Sequence, residues 1–256
     1  MRCRYRERAV FAGDSLEVDI YPEYRHAKSR SKKYKPTSEV QAKLNKKNQE
    51  RVVTQLLNAN FTNKDYRLDL TYSPEYHPAD AGQAQKDMQN FIRRLKRYIK
   101  KNNLPELKYL YVTEIGKRGN KFHHHIVLNS VVAVSVLAEI WGKGYTTVKP
   151  LQPLAETNGL EPLAVYLLKK PIAGNAFSHS RNLIKPEVKE RNSRLNRKAI
   201  EWMASYDDTS ALEKLYPNYQ LQKMTPYYND VNGGYYFRCK FYKPQKPKPK
   251  RRNLKC

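Results

Sequence analysis

Three consecutive histidines, His123-His124-His125, sit in the run FHHHIVLN and are the residues here most suited to chemistry. In an extended strand residues i and i+2 share a face, so His123 and His125 converge on one point while His124 turns away. The run before it, KYLYVTEI from Lys108 to Ile115, also reads as a strand, and the short link through Gly116, Lys117, Arg118, Gly119 and Asn120 makes the two an antiparallel pair. That pairing brings Glu114 across the hairpin from the histidines, on the face shared with Leu110 and Val112. Two neutral imidazoles and a carboxylate aimed at one spot make a divalent-metal site with open positions, suited to polarising a phosphate oxygen. The same residues also make an ordinary cross-strand Glu–His pair on an exposed face, and taken alone they leave both readings open.

Chemistry at a phosphate needs a nucleophile, and the helical pattern from Leu160 to Lys170, ended by Pro171, offers Tyr166. Lys169 and Lys170 follow it at i+3 and i+4 and share its side of the helix. A phenol with a pKa near 10 is a poor nucleophile at neutral pH, so a metal on the phosphate and a nearby ammonium both favour attack. Tyr166 is one of 20 tyrosines, however, and also reads as a packing residue beside Leu163 and Leu167. Asp69 and Thr71 share one face of the alternating run from Tyr66 to Tyr72. They contact bound nucleic acid, support the metal ligands, or are two small polar residues near a strand end. His26, His77 and His179 have no partner at ligand spacing.

These residues need a scaffold, and the remaining periodicities supply it. A helix is expected from about Ser38 to Asn58. Another is carried by Met88, Phe91, Ile92, Leu95, Tyr98 and Ile99, with Arg93, Arg94, Lys96, Arg97, Lys100 and Lys101 between them. Val131 to Trp141 reads as a third helix, Tyr145 to Val148 as a short strand, and Ala199 to Tyr206 as a helix. Tyr219 to Tyr228 and Tyr235 to Tyr242 read as a hairpin turning through Asn229 to Gly234. The order predicts an α+β domain with an antiparallel sheet of about five strands, the motif strands central, helices on one face and the tyrosine helix over the metal.

The charge balance points to the partner. Lys and Arg number 49 against 24 Asp and Glu, a net +25, which a polyanion explains best. The basic loop at 28–35 and the tail at 238–256, which holds nine basic residues and no acidic one, read as phosphate-binding arms. Within the tail, Lys248, Lys250, Arg251 and Arg252 are the expected DNA contacts, in a Lys/Pro alternation that favours extended backbone. No stretch is apolar enough for a membrane span and the first residues lack a secretory h-region, so a soluble intracellular protein without membrane partners is expected. Cys3, Cys239 and Cys256 are odd in number and never spaced C-x-x-C, against both a disulfide framework and a cysteine zinc site.

Taken together, LDLTY (68–72), YVTEIG with HHHIVL (111–128) and YLLKK (166–170) resemble, in that order, the three motifs of HUH endonucleases. The closest likeness is to rolling-circle replication initiators of small single-stranded DNA phages and plasmids. It covers about residues 60–172 and extends to WGKG (141–144) before a short strand. The resemblance implies the RRM-like, ferredoxin-like HUH fold. It implies Mg²⁺ or Mn²⁺ on Glu114, His123 and His125, Tyr166 as nucleophile, and Lys169, or else Lys170, as the lysine of the tyrosine motif. Asp69, Thr71 and Lys170 join the expected DNA contacts. His124 departs from the bulky apolar residue usual between the histidines, and Lys170 stands where two-tyrosine initiators carry their second tyrosine, which implies a single-tyrosine mechanism. Relaxases of conjugation place the tyrosine before the histidines, unlike this chain.

The implied activity is nicking and rejoining of single-stranded or hairpin origin DNA through a 5′-phosphotyrosine, in the cytoplasm of a bacterial host. No G-x-x-x-x-G-K-[ST] occurs, so a host helicase and polymerase are expected partners. Four segments follow: a basic N-terminal stretch over 1–59 with loop and helix, the endonuclease domain over 60–174, a small appendage over 175–237, and the tail over 238–256. Two rivals remain. A non-catalytic single-stranded nucleic-acid-binding protein with an RRM-like sheet needs no metal. A zinc hydrolase using two His and Glu needs water rather than Tyr166.

Overall fold

The computed structural model describes residues 4–23, 38–116, 121–171, 176–192, 194–230 and 233–244. The basic loop at 28–35 and the tail residues Lys248, Lys250, Arg251 and Arg252 lie outside them. The architecture is α+β, with two five-stranded antiparallel sheets in place of the single one that periodicity predicts. The chain divides into two compact units, one centred on each sheet.

The larger unit holds the histidines. Its strands are β3 (Tyr66–Thr71), β4 (Tyr109–Ile115), β5 (Phe122–Leu128), β6 (Thr146–Pro150) and β7 (Ser178–His179), ordered β6-β3-β5-β4-β7. The motif strands are therefore the inner ones, as expected. Alternation along them sorts side chains into two cores. Leu110, Val112 and Val127 pack with Val53, Leu56 and Leu57 of α1 (Glu39–Asn60) and with Ala164 and Leu167 of α4 (Glu161–Leu167). Leu68, Leu70, Ile126 and Leu128 pack on the other face with Met88, Phe91 and Leu95 of α2 (Ala81–Lys101) and with Leu137 and Trp141 of α3 (Val134–Trp141). Helices thus cover both faces rather than one, because the inner strands are apolar on both sides and each apolar face needs cover.

Local signals account for the helix ends. Ser38 caps α1 by accepting from the Gln41 N–H at 3.2 Å, and Asp80 caps α2 by accepting from Gln83 at 2.7 Å. The tyrosine helix is shorter than its pattern. It ends at Leu167, three residues before the predicted Lys170; Pro171 disfavours helical backbone at the residue before it, and it bridges to Glu114 of β4 instead.

The WGKG stretch is structural. Gly142 ends α3 in the left-handed conformation at φ 58°. Gly144 sits at φ +152°, where an added Cβ would meet the Thr71 carbonyl oxygen at 2.4 Å and the Ser73 nitrogen at 2.5 Å. That close approach carries the ladder beyond β3, through Thr71 N–H to Tyr145 O at 3.0 Å and Ser73 N–H to Lys143 O at 2.9 Å.

The smaller unit pairs the two ends of the described chain. Its strands are β1 (Arg4–Ala12), β2 (Ser15–Glu23), β8 (Glu187–Asn192), β9 (Gln220–Asn229) and β10 (Gly234–Tyr242), ordered β8-β1-β2-β10-β9. The predicted β9–β10 hairpin is present, and β10 pairs β2 with Cys239 opposite Val18 and Phe241 opposite Leu16. Helices α5 (Arg197–Tyr206) and α6 (Ser210–Leu215) bury Ile200, Met203 and Leu212 in this unit. Buried Glu7 accepts from Arg194 at 3.1 Å and from the Tyr216 hydroxyl. Two segment boundaries change. The first 59 residues are not only loop and helix, since Arg4–Glu23 is a hairpin. The tail cannot begin at 238, since Arg238 to Tyr242 complete β10, where alternation buries Cys239 and Phe241.

Replacing Gly144 by Ala forces a Cβ against two backbone atoms at an unfavourable φ. We expect a loss of about 2 kcal/mol or more, read as a lowered denaturant midpoint with an unchanged m-value.

Candidate metal centre and tyrosine

The register of β5 between its neighbours builds the site. Glu114 lies opposite His123, Val112 opposite His125, Asp69 opposite His125 and Thr71 opposite His123. Residues directly opposite in an antiparallel ladder share a face, so Glu114, His123, His125, Asp69 and Thr71 stand together as alternation predicts. The Glu114 Oε2 atom is 3.4 Å from His125 Nε2 and 3.7 Å from His123 Nε2. One ligand atom from each of the three lies within 4.8 Å of the others, the one such group of three or more His, Cys, Asp or Glu among the described residues. His125 Nε2 is buried and has no hydrogen-bond partner, which a buried nitrogen seldom tolerates. Two imidazole nitrogens and a carboxylate oxygen around that orphan atom fit a divalent cation.

Asp69 fixes the orientation of His125. Its Oδ1 accepts from His125 Nδ1 at 2.6 Å and its Oδ2 from Arg67 Nη2 at 2.8 Å, so both oxygens are engaged within the protein. Burial works to raise the Asp69 pKa, but the His125 hydrogen bond and the Arg67 guanidinium outweigh it and hold it below the ordinary carboxylate value. With Nδ1 bound to Asp69, Nε2 is the nitrogen that faces the site. Thr71 is spent on the fold. Its hydroxyl donates to the Tyr145 carbonyl at 3.3 Å and its own carbonyl accepts from Trp141 Nε1 at 2.9 Å.

His124 faces the other way, as period two requires. It is fully buried, with Nε2 2.8 Å from the Tyr72 hydroxyl and Nδ1 2.9 Å from the Thr113 hydroxyl. Its ring also meets Trp141 edge-on at 5.7 Å. Burial, with the neighbouring His123 and His125, pushes its pKa down to about 3, so it stays neutral.

The Tyr166 ring stands edge-on to His125, centroids 5.2 Å apart, while the residue itself is 42% exposed. The cation at this ring is one that sequence reasoning passed over. Arg67 lies 4.7 Å from the ring centroid, although its place on the Asp69 face of β3 was legible from alternation. Lys169 and Lys170 instead follow the helix end, exposed, with the Lys169 N–H bonded to the Tyr166 carbonyl at 3.2 Å. Burial raises the Tyr166 pKa, Arg67 lowers it, and the Asp69 and Glu114 carboxylates raise it, for a net upward shift. From Tyr166 a groove of about 500 Å³ runs between α4 and β6, lined by Arg67, Lys149, Leu151, Leu163 and Tyr166 among others.

Residues 65–171 match the sequence model of a family of replication-associated proteins, the ORF2 type. The matched span contains Asp69, Glu114, His123, His125 and Tyr166, and the match supports a role in the initiation of replication. Comparison with curated proteins and with solved structures gives no significant match.

The depressed pKa of His124 makes stability depend on pH. An unfolded chain protonates this imidazole below about pH 6.5, whereas the folded chain resists until about pH 3, so stability is full above 6.5 and falls on acidification. His124→Gln should remove this contribution. Between pH 7.5 and pH 5, wild type should lose on the order of 2 kcal/mol more than the variant does, read from urea midpoints at the two pH values.

Proposed function

We propose that this chain is a metal-dependent, site-specific DNA endonuclease and strand transferase that nicks and rejoins single-stranded DNA at a replication origin, as the initiator of rolling-circle replication. The observation that carries the reading is the contact of the Tyr166 ring with His125, within the cluster that joins His125 to Glu114 and His123. The match to replication-associated proteins over the same residues supports it.

Each residue then has a task. Glu114, His123 and His125 hold Mg²⁺ or Mn²⁺, which supplies positive charge to polarise a phosphate oxygen and to offset the Glu114 carboxylate. Asp69 positions His125 rather than touching the DNA. Arg67, over the ring face, favours the phenolate, and Lys149, with Lys169 and Lys170, supplies positive charge for the strand. The Tyr166 oxygen attacks the phosphorus and gives up its proton to solvent. The 3′ oxygen leaves with the bonding electron pair, takes a proton, and becomes a free 3′ hydroxyl. The 5′ phosphate remains on Tyr166 as a diester, so one ester bond is exchanged for another. A 3′ hydroxyl attacking that diester reverses the step and rejoins the strand without an added energy source. A host helicase and polymerase supply unwinding and synthesis.

The rival binding module needs an open sheet on which to stack bases. In the unit that carries the histidines, apolar residues from both faces pack under helices, which favours the enzyme.

Tyr166→Phe keeps the ring and removes only the nucleophilic oxygen. Stability and DNA affinity should hardly change, while single-turnover nicking and the covalent protein–DNA adduct should fall by several orders of magnitude. Peptide mapping of the wild-type adduct should find DNA on Tyr166. Cleavage by Tyr166→Phe at the wild-type rate would favour a water nucleophile and overturn the assignment.

Asp69→Asn tests the positioning role separately. By calorimetry, Mn²⁺ affinity should fall by roughly 10- to 100-fold with the melting temperature little changed. An unaltered affinity would leave Asp69 outside the metal support.

A further inference from the structure

The basic residues of α2 are absent from the site described above. This helix packs its apolar stripe, Met88, Phe91, Leu95 and Ile99, beneath the Leu68, Leu70 and Ile126 face of the sheet, opposite the face of Glu114 and His125. Its outer stripe carries Lys86, Arg93, Lys96, Arg97, Lys100 and Lys101, all exposed. The single carboxylate within the helix, Asp87, is buried and held by Lys143 at 2.9 Å, so it offsets none of them on the surface. Among the described residues no ion pair or hydrogen bond engages the side chains of Lys86, Arg93, Arg97, Lys100 or Lys101. Lys96 lies 5.7 Å from the centre of the Tyr109 ring.

At 1.5 Å per residue the row from Lys86 to Lys101 runs about 22 Å along a straight helix. Such a row meets about six base pairs of duplex, given 3.4 Å per step along each strand. The stripe carries no exposed aromatic residue, so it offers charge to phosphates and no platform for unstacked bases. Where α2 ends, a groove of about 770 Å³ continues the cationic surface with Lys96, Lys100, His179 and Arg181 around Tyr109; the exposed Glu106 is the one carboxylate lining it.

We infer that the outer face of α2 is a second DNA site, which grips the phosphate backbone of duplex DNA on the side of the sheet opposite the nicking centre. The proposed nicking activity identifies the polyanion as DNA, and to that extent the inference rests on it. In its functional consequence, one domain holds the duplex arm of an origin on one face while a single strand is cut on the other.

The test compares three full-length proteins: wild type, the quadruple variant Arg93→Gln, Arg97→Gln, Lys100→Gln and Lys101→Gln, and a charge-matched control with Lys185→Gln, Lys198→Gln, Lys214→Gln and Lys223→Gln. Gln has nearly the helix propensity of Arg and Lys, and melting curves check that all three fold. Binding is measured by anisotropy without metal across a salt series. The probes are a duplex of about 30 base pairs of arbitrary sequence and a short oligo(dT). With each lost phosphate contact contributing about 0.9, the α2 variant should lower the slope of log K against log salt on duplex by about 3 to 4. Its duplex affinity should fall by on the order of tenfold or more at low salt. Oligo(dT) binding should stay near wild type, and the control should change the duplex slope much less.

Equal losses in the control would mean bulk charge alone and overturn the local site. An unchanged duplex slope would also overturn it, as would a loss confined to oligo(dT). Should the variant keep its duplex slope yet lose binding to phosphatidylglycerol vesicles, the face would belong to a membrane surface instead. Since binding needs no cleavage, a lowered duplex slope in protein that forms no adduct at Tyr166 would sustain this site and sink the nicking reading.

Discussion

The His124 imidazole is hydrogen-bonded at both ring nitrogens, to Tyr72 just beyond β3 and to Thr113 of β4, in a position with no access to water. These two bonds tie the middle strand to both neighbours at one register. A slip by one residue would carry His124 to the metal face and turn His123 and His125 into the apolar core. It would also strand two buried hydroxyls and a buried imidazole, each costly without a partner. The residue that departs from the usual apolar middle position of an HUH motif is thus the one that fixes the motif's geometry, with Trp141 closing the pocket around it.

From that register the site follows as a chain of contacts. His125 faces Asp69, Asp69 faces Arg67, Arg67 covers the Tyr166 ring, and the ring returns to His125. Three carriers of charge and one aromatic ring are therefore coupled. Each holds a neighbour in a single orientation, which is what a reaction needing a nucleophile close to a phosphate requires. The two carboxylates raise the Tyr166 pKa while Arg67 lowers it, so the resting phenol stays protonated. Attack then awaits the arrival of more positive charge near Glu114.

The two faces of this sheet are differently equipped. One gathers the histidines, the carboxylates and the tyrosine under α1 and α4. The other is sealed by α2 and α3, and its outer surface is a row of unneutralised cations. A net charge of +25 is thus concentrated in part on a defined, rigid helix and not left only to loops and tail.

Period-two alternation alone determined that His123, His125 and Glu114 share a face and that His124 does not, because side-chain direction in a strand is a local property of the backbone. The inner strands, the helices and the β9–β10 hairpin were legible for the same reason. The N-terminal hairpin was not recognised as part of a sheet, since β2 finds its partner β10 more than 200 residues later and local periodicity carries no record of such pairing. Nor did spacing identify the cation at Tyr166. Lys169 and Lys170 are its neighbours along the chain, but α4 ends at Leu167, and Arg67 reaches the ring from another strand. The order of residues set each strand's faces, whereas which residues from distant strands meet was decided by the sheet order and the packing of α4 upon it, through contacts that exist only in the folded chain.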